Sequence, residues 1–185
     1  MLQTCKIKTN AMSKLTSVRQ FAIKAHGEQK YGNSPYVSHL DDVVNILREF
    51  GYSDEDILSA GYLHDCLEDT DTQPNVIREM FGEDVLKMVD FCTDEEGPNR
   101  KVRKTRTYER MKNTLNEASV SERVIFNNAV VVKLADRLSN VRACARDGKE
   151  NLLDLYRREH VVFRKTLHIE NIHDEFWHAF SEHLQ

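Results

Sequence analysis

Chain breakers are scarce in this 185-residue sequence, which has three Pro and seven Gly. So few turn formers exclude a loop-rich fold and favour long helices. Cysteine is scarce as well: Cys5, Cys66, Cys92 and Cys144 are scattered and form no C-x-x-C pair. With no secretory signal beside them, they read as reduced thiols in a cytoplasmic protein. No apolar run approaches the roughly 20 residues needed to cross a bilayer, so no membrane partner is expected. Positive charge is not in excess either, with 26 Lys and Arg against 30 Asp and Glu and a net charge of −4. Nucleic-acid binding therefore has no global electrostatic support.

What is present suits an ordinary globule, with 40% hydrophobic and 30% charged residues. The length fits one domain with a sizeable core. Residues 1–12, MLQTCKIKTNAM, carry no apolar h-region and read as a flexible tail, leaving 13–185 as the single domain. A monomer or small homo-oligomer is expected.

Apolar spacing is helical almost throughout. Val18, Phe21, Ala22 and Ala25 form one face; Leu40, Val43, Val44 and Leu47 form another, ending near Gly51. Ser53 with Asp56 reads as the N-cap and acidic first turn of a helix running through Leu67. Pro74 suits a first helical turn, Gly82 closes that short helix, and Val85, Leu86 and Val89 continue in the next. The run from Thr93 to Pro98 breaks the pattern and reads as a loop. A long helix spans about Ser121 to Arg146. Its Val130, Val131 and Val132 have strand propensity, but Leu134, Ala135, Leu138 and Val141 keep helical spacing around them. Residues 149–185 read as two or three amphipathic helices. The expected fold class is all-α.

The stretch YLHDCLEDTDT (62–72) carries the chemistry. On a continuous helix His64 would align with Glu68, and Asp65 with Asp69. Three acids within five residues repel one another unless a cation sits among them. A divalent ion would relieve this, and His beside Asp is a mixed N/O donor set suited to Mn²⁺, Fe²⁺ or Zn²⁺. Two residues do not hold such an ion alone. His39, at the start of a core-facing helix, and Asp136, a carboxylate interrupting an apolar segment, are the best further candidates. Asn140 follows Asp136 by one turn.

Four segments, FAIKAHGEQKYGNSPYVSHL (21–40), AGYLHDCLEDTDT (60–72), FGEDVLKMV (81–89) and VVKLADRLSNVRA (131–143), together resemble the HD-domain phosphohydrolases. Within these they resemble the hydrolase domain of RelA/SpoT-type proteins and the stand-alone small alarmone hydrolases. The resemblance covers roughly two thirds of the chain. It implies an HD-domain helical bundle with one metal site in the core, usually Mn²⁺, held by His39, His64, Asp65 and Asp136. It also implies that Glu68 and Asp69 handle the attacking water, and that the nucleotide substrate meets Asn140, with Lys24, His26 and Arg137 as further candidate contacts. The implied reaction removes the 3′-pyrophosphate from guanosine 3′,5′-bis(diphosphate), ppGpp.

Where that family usually has Arg-Lys-His in its first helix, this chain has Lys24, Ala25 and His26. Lysine meets phosphate as a point charge but offers a base little stacking area. This departure supports an alternative: a phosphatase of the same fold acting on another nucleotide, such as NADPH or a nucleoside phosphate. A third reading, a nucleotide sensor without turnover, is opposed by the intact Glu68 and Asp69.

Three features have blander readings. His168, His173, His178 and His183 are spaced by five, which turns each by about 140° from the last, so with His160 they read as scattered surface residues. The basic run 100–112 reads as a solvated helix interrupted by Glu109, with phosphate steering as the rival. Cys66, with no His beside it in sequence, reads as a packed thiol.

Overall fold

The computed structural model describes residues 13–170 and 172–184; the tail expected over 1–12 lies outside the described residues. Helix α1 (Lys14–His26) opens on Ser13, whose hydroxyl accepts from the Thr16 amide, and closes at Gly27 with φ of 53°. A tight hairpin follows that apolar spacing does not announce, β1 (Lys30–Tyr31) antiparallel to β2 (Ser34–Pro35). It delivers the chain to α2 (Val37–Glu49), which buries His39 in one stripe with Leu40, Val43, Val44, Ile46 and Leu47.

Helix α3 (Glu55–Leu63) is capped by Asp54, one residue beyond the expected Ser53. The Asp54 carboxylate accepts from the Asp56 and Ile57 amides at 2.9 and 3.2 Å. An anion there satisfies orphan donors and suits the positive helix end. The expected continuation through Leu67 does not occur. The helix stops at Leu63, the chain turns at His64 and Asp65, and α4 (Cys66–Asp69) adds a single turn. His64 Nδ1 bonds to the Gly61 carbonyl at 2.9 Å. That is the acceptor the Asp65 amide would use in a continued helix, so the imidazole competes with the next turn.

Helix α5 (Pro74–Phe81) carries its proline in the first turn, where no amide donor is missed. It is followed by α6 (Glu83–Cys92), the loop 93–99, and α7 (Arg100–Glu117). Helix α8 (Val120–Arg146) opens on a capping box formed by Ser119 and Glu122. Two helices complete the chain, α9 (Glu150–Leu167) and α10 (Asp174–Leu184). Among the described residues the only strand structure is the hairpin and a lone bridge between Ile169 and Ile172. The fold is all-α.

The axis of the bundle is α8, with α2, α3, α6, α9 and α10 packed around it. Its segment from Ala129 to Ala135 is buried on every side. Apart from Lys133 the segment is apolar all round, as suits a helix surrounded by other helices, and this burial overrides the strand propensity of the valine run. Helices α2 and α3 approach closely at Gly61. A Cβ there would lie 2.8 Å from Leu47 Cδ1 and 3.2 Å from Val44 Cγ2. The same close approach sets His39 of α2 against His64 at the end of α3. No described helix is long and apolar enough to cross a membrane.

Candidate active site

Four elements converge at one end of this packing: the β1 strand, the N-terminus of α2, the α3–α4 turn and the middle of α8. They bring together His39, His64, Asp65 and Asp136, residues up to 97 positions apart in sequence. His64 Nε2 lies 2.9 Å from Asp65 Oδ2 and 3.7 Å from Asp136 Oδ1. His39 Nε2 lies 3.4 Å from Asp136 Oδ1 and 3.8 Å from Asp65 Oδ2. One donor atom each from His39, His64 and Asp65 fall within 4.8 Å of one another. Because His64 Nδ1 donates to the Gly61 carbonyl, Nε2 is the nitrogen left to face the two carboxylates, and it is buried without a well-formed hydrogen bond. Two imidazole nitrogens facing two carboxylates are complementary to a cation and poorly suited to its absence. The donor set therefore fits a divalent metal.

The electrostatics agree. Burial disfavours charge on His64, yet Asp65 and Asp136 hold it well above its ordinary range. Burial would raise both carboxyls, but Lys133 and the two imidazoles hold Asp136 well below the usual range, and His64 does the same for Asp65. The field that stabilises a proton on His64 would stabilise a metal ion in its place.

Glu68 and Asp69 stand beside this cluster, carried by α4 and not by a continuous helix. Glu68 Oε2 accepts from the Asp94 amide at 3.0 Å, and Oε1 from Arg103 Nη1 at 3.4 Å. Burial, followed by the neighbouring Asp94 charge, pushes the Glu68 carboxyl above its ordinary value. Asp69 Oδ2 accepts from Tyr36 Oη at 3.3 Å and Gln29 Nε2 at 3.4 Å. Burial and then Asp65 keep the Tyr36 phenol protonated, so it acts as a donor.

Asn140 is fully engaged: its Nδ2 donates to Asp136 Oδ1 at 2.6 Å, and its Oδ1 accepts from Tyr31 Oη at 2.9 Å. The Tyr31 ring also stacks on His39, with centroids 4.7 Å apart. These groups open into a cavity of about 170 Å³ whose far wall is cationic: Arg100, Arg103 and Lys104 from α7, Lys133 and Arg137 from α8. The solvated-helix reading of residues 100–112 is thus half right. Lys101 and Arg106 are exposed, while Arg100, Arg103 and Lys104 face the cavity. The signal was available in the spacing, since 100, 103, 104, 107, 108 and 111 share one helical face and the last three are buried.

Other expected contacts lie elsewhere. Lys24 is exposed on α1 and does not line the cavity. His26 is buried one layer back, stacked on Tyr36 at 4.3 Å and bonded through Nδ1 to Gln29 Oε1 at 2.8 Å. Its Nε2 is 3.8 Å from Cys66 Sγ, a partner invisible in sequence, but burial pushes the Cys66 thiol up to about 12, which keeps it unreactive. The C-terminal histidines do not converge, and His160 and His173 are half-buried. His160 packs against Trp177 and Phe180, and His173 bonds Tyr52 Oη at 2.7 Å. Tyr31, Tyr36 and Asp94 were not anticipated, whereas the pairing of Lys133 with Asp136 at 3.5 Å is the helix-face salt bridge that their spacing allows.

Residues 18–165 match the family model described as the HD domain. The chain is 34% identical over 138 residues to the guanosine-3′,5′-bis(diphosphate) 3′-pyrophosphohydrolase MESH1 of Drosophila melanogaster, covering 72% of this chain and 71% of that one. It is 38% identical over 124 residues to the guanosine-3′,5′-bis(diphosphate) 3′-pyrophosphohydrolase of Aquifex aeolicus, covering 66% of this chain but only 16% of that relative. The structure superposes on that of a metazoan ortholog of SpoT that hydrolyses ppGpp, with a TM-score of 0.68 and 25% identity, covering 96% of this chain and 99% of the other. With its helical bundle, its paired histidines and aspartates, and this match across most of its length, the chain belongs to the HD-domain family.

Proposed function

We propose that residues 13–185 form one metal-dependent hydrolase domain that removes the 3′-pyrophosphate from ppGpp, giving GDP and pyrophosphate. The observation that carries this reading is a His₂Asp₂ cluster under a wall of five cations, with two further carboxylates alongside. The activity for which the MESH1 and Aquifex relatives are named supports it.

In this reading His39, His64, Asp65 and Asp136 hold one divalent ion; the mixed N/O donor set suits Mn²⁺, Fe²⁺ or Zn²⁺, and the family resemblance favours Mn²⁺. Such an ion, when bound, lowers the pKa of water and offsets phosphate charge. Glu68 and Asp69 receive the proton of the attacking water. Burial prepares Glu68 for that role by raising its proton affinity above that of an ordinary glutamate. Tyr36 orients Asp65 and Asp69, and Asn140 orients Asp136. Arg103, Lys104 and Arg137 offset the charge that gathers on the departing diphosphate. His26 acts through Tyr36, and Lys24 acts from outside the cavity by long-range attraction. The protein works in the cytoplasm, as a monomer or small homo-oligomer.

One observation favours the rival, a phosphatase of another nucleotide: no guanidinium from α1 reaches the cavity to stack on guanine. Purified protein with Mn²⁺, incubated with ppGpp, GTP and NADPH, separates the two. Pyrophosphate released from ppGpp is the expected result. Orthophosphate from another nucleotide, with ppGpp left intact, would overturn it.

A further inference from the structure

We propose that Glu159 of α9 builds a diphosphate-binding subsite in the cavity by fixing the guanidinium groups of Arg100 and Arg137. The proposal rests on the reading of this cavity as a site for a nucleotide's phosphates.

The argument begins with charge pairing along the cationic wall. Lys104 faces Asp94 at 2.7 Å, Lys133 faces Asp136 at 3.5 Å, and Arg103 faces Glu68 at 3.4 Å. Each of these cations has its own carboxylate. Arg100 and Arg137 instead share one. Arg100 donates through Nε and Nη2 to the two oxygens of Glu159, at 2.8 and 3.1 Å, and Arg137 Nη1 donates to Oε2 at 3.1 Å. One positive charge is therefore left over, and it lies at this end of the cavity.

The surroundings strengthen that surplus. Arg137 is buried, bonded to Tyr108 Oη at 3.0 Å, and sits 4.8 Å over the Tyr156 ring and 4.6 Å over the Phe163 ring. Aromatic walls screen charge far less than water does, so an anion entering here meets a stronger field than it would at an exposed arginine. Glu159 occupies Nε and Nη2 of Arg100, while Nη1 has no hydrogen bond to a described residue. The fixed fork geometry of guanidinium suits the oxygens of a phosphate or diphosphate. A purely structural bridge between α7 and α9 would need one arginine for one glutamate. The second arginine and the surplus charge are what a subsite requires.

Glu159 is on this account a positioning residue, and its test reads affinity directly. Inorganic pyrophosphate is titrated by calorimetry into the full chain with Mn²⁺ present, for the wild type, Arg100→Ala, Glu159→Gln and the double variant. Arg100→Ala should weaken pyrophosphate binding by about tenfold, the scale of one charge-assisted contact. Glu159→Gln should weaken it comparably, and the double variant should be no more than about twofold worse than either, because both act through one unit. Arg100 is partly exposed, so its removal tests the subsite even where Glu159→Gln lowers the melting temperature. Pyrophosphate affinity within twofold of wild type in Arg100→Ala, or additive losses in the double variant, would overturn the proposal.

GDP as a second probe identifies the occupant. Arg100-dependent GDP affinity assigns the subsite to the 5′ diphosphate, and Arg100-independent GDP affinity beside Arg100-dependent pyrophosphate affinity assigns it to the 3′ group; both outcomes support a diphosphate subsite. Hydrolysis by the wild type is scored separately. Arg100-dependent pyrophosphate binding in a protein that leaves ppGpp intact would sink the reaction proposed above and leave the subsite standing.

Discussion

The Tyr36 hydroxyl donates to Asp65 Oδ2 at 2.5 Å and lies 3.3 Å from Asp69 Oδ2. One phenol thus joins a candidate metal ligand to a candidate base, and its ring is held by stacking on His26. Tyr36→Phe keeps the ring and removes the donor. Turnover should fall by roughly tenfold or more while stability drops by only about 1 kcal/mol, the usual cost of one such bond. Wild-type kcat in this variant, with an unchanged melting temperature, would remove Tyr36 from the mechanism.

The four-residue cluster predicts a metal stoichiometry. His64→Ala should abolish both bound metal and activity, measured by metal analysis on folded protein. Asp136→Ala should do the same and also destabilise the fold by roughly 3–5 kcal/mol, because it removes the carboxylate beside the buried Lys133 cation and leaves it only the Cys92 carbonyl as a hydrogen-bond partner. Asp136→Asn, which keeps the shape, separates the two effects. One ion per chain retained in both His64→Ala and Asp136→Asn would show that the ligand set is wrong.

Glu68 should have a different signature. Glu68→Gln preserves size and the bond from the Asp94 amide, so metal and substrate stay bound while turnover falls by roughly 10²-fold. The sign of the pH effect follows from its raised carboxyl: a base works only when deprotonated, so activity is lost as pH falls through that raised value. The acidic limb of the kcat profile should therefore sit above the ordinary glutamate range and vanish in Glu68→Gln. A limb that persists in the variant transfers the role to Asp69.

Lys24 is exposed, so its influence on an anionic substrate is electrostatic and screened. Lys24→Ala should raise KM for ppGpp by about twofold at low salt and by nothing measurable at high salt. Lys24→Arg should leave both values unchanged. A salt-independent KM change in either variant would place Lys24 in direct contact with the nucleotide.

Gly61 offers a test of how the fold sets the site. Gly61→Ala forces a Cβ against Leu47 and Val44. Overpacking of this kind costs roughly 1–3 kcal/mol. By pushing α3 from α2 it should also separate His64 from His39 and weaken metal affinity. A lowered melting temperature with wild-type metal affinity would show that the two histidines are positioned independently of this contact.

Much of the bundle was legible from apolar spacing, because each helix needs one stripe buried and that stripe is written locally. The faces of α1, α2, α6 and α8 were found this way, as was the valine run of α8. The residue types of the His39, His64, Asp65 and Asp136 cluster were legible too, since acids crowded around a histidine repel one another unless a cation sits among them and the matching segments around His39 and Asp136 supplied the rest. Long-range relations were not. The break at His64 and Asp65 depends on an imidazole competing for the Gly61 carbonyl, and local propensity carries no record of that bond. Tyr31 meets Asn140 from 109 positions away, and Arg100 meets Glu159 from 59. Whether α7 turns its cations to water or to the cavity depends on what stands opposite, and Asp94, Glu68 and Glu159 arrive there from three other segments. The sequence by itself determined where most of the helices form and which side chains are candidates to bind a metal. Only the tertiary structure decided which charges face one another, because electrostatic pairing is set by distance in space and not by distance along the chain.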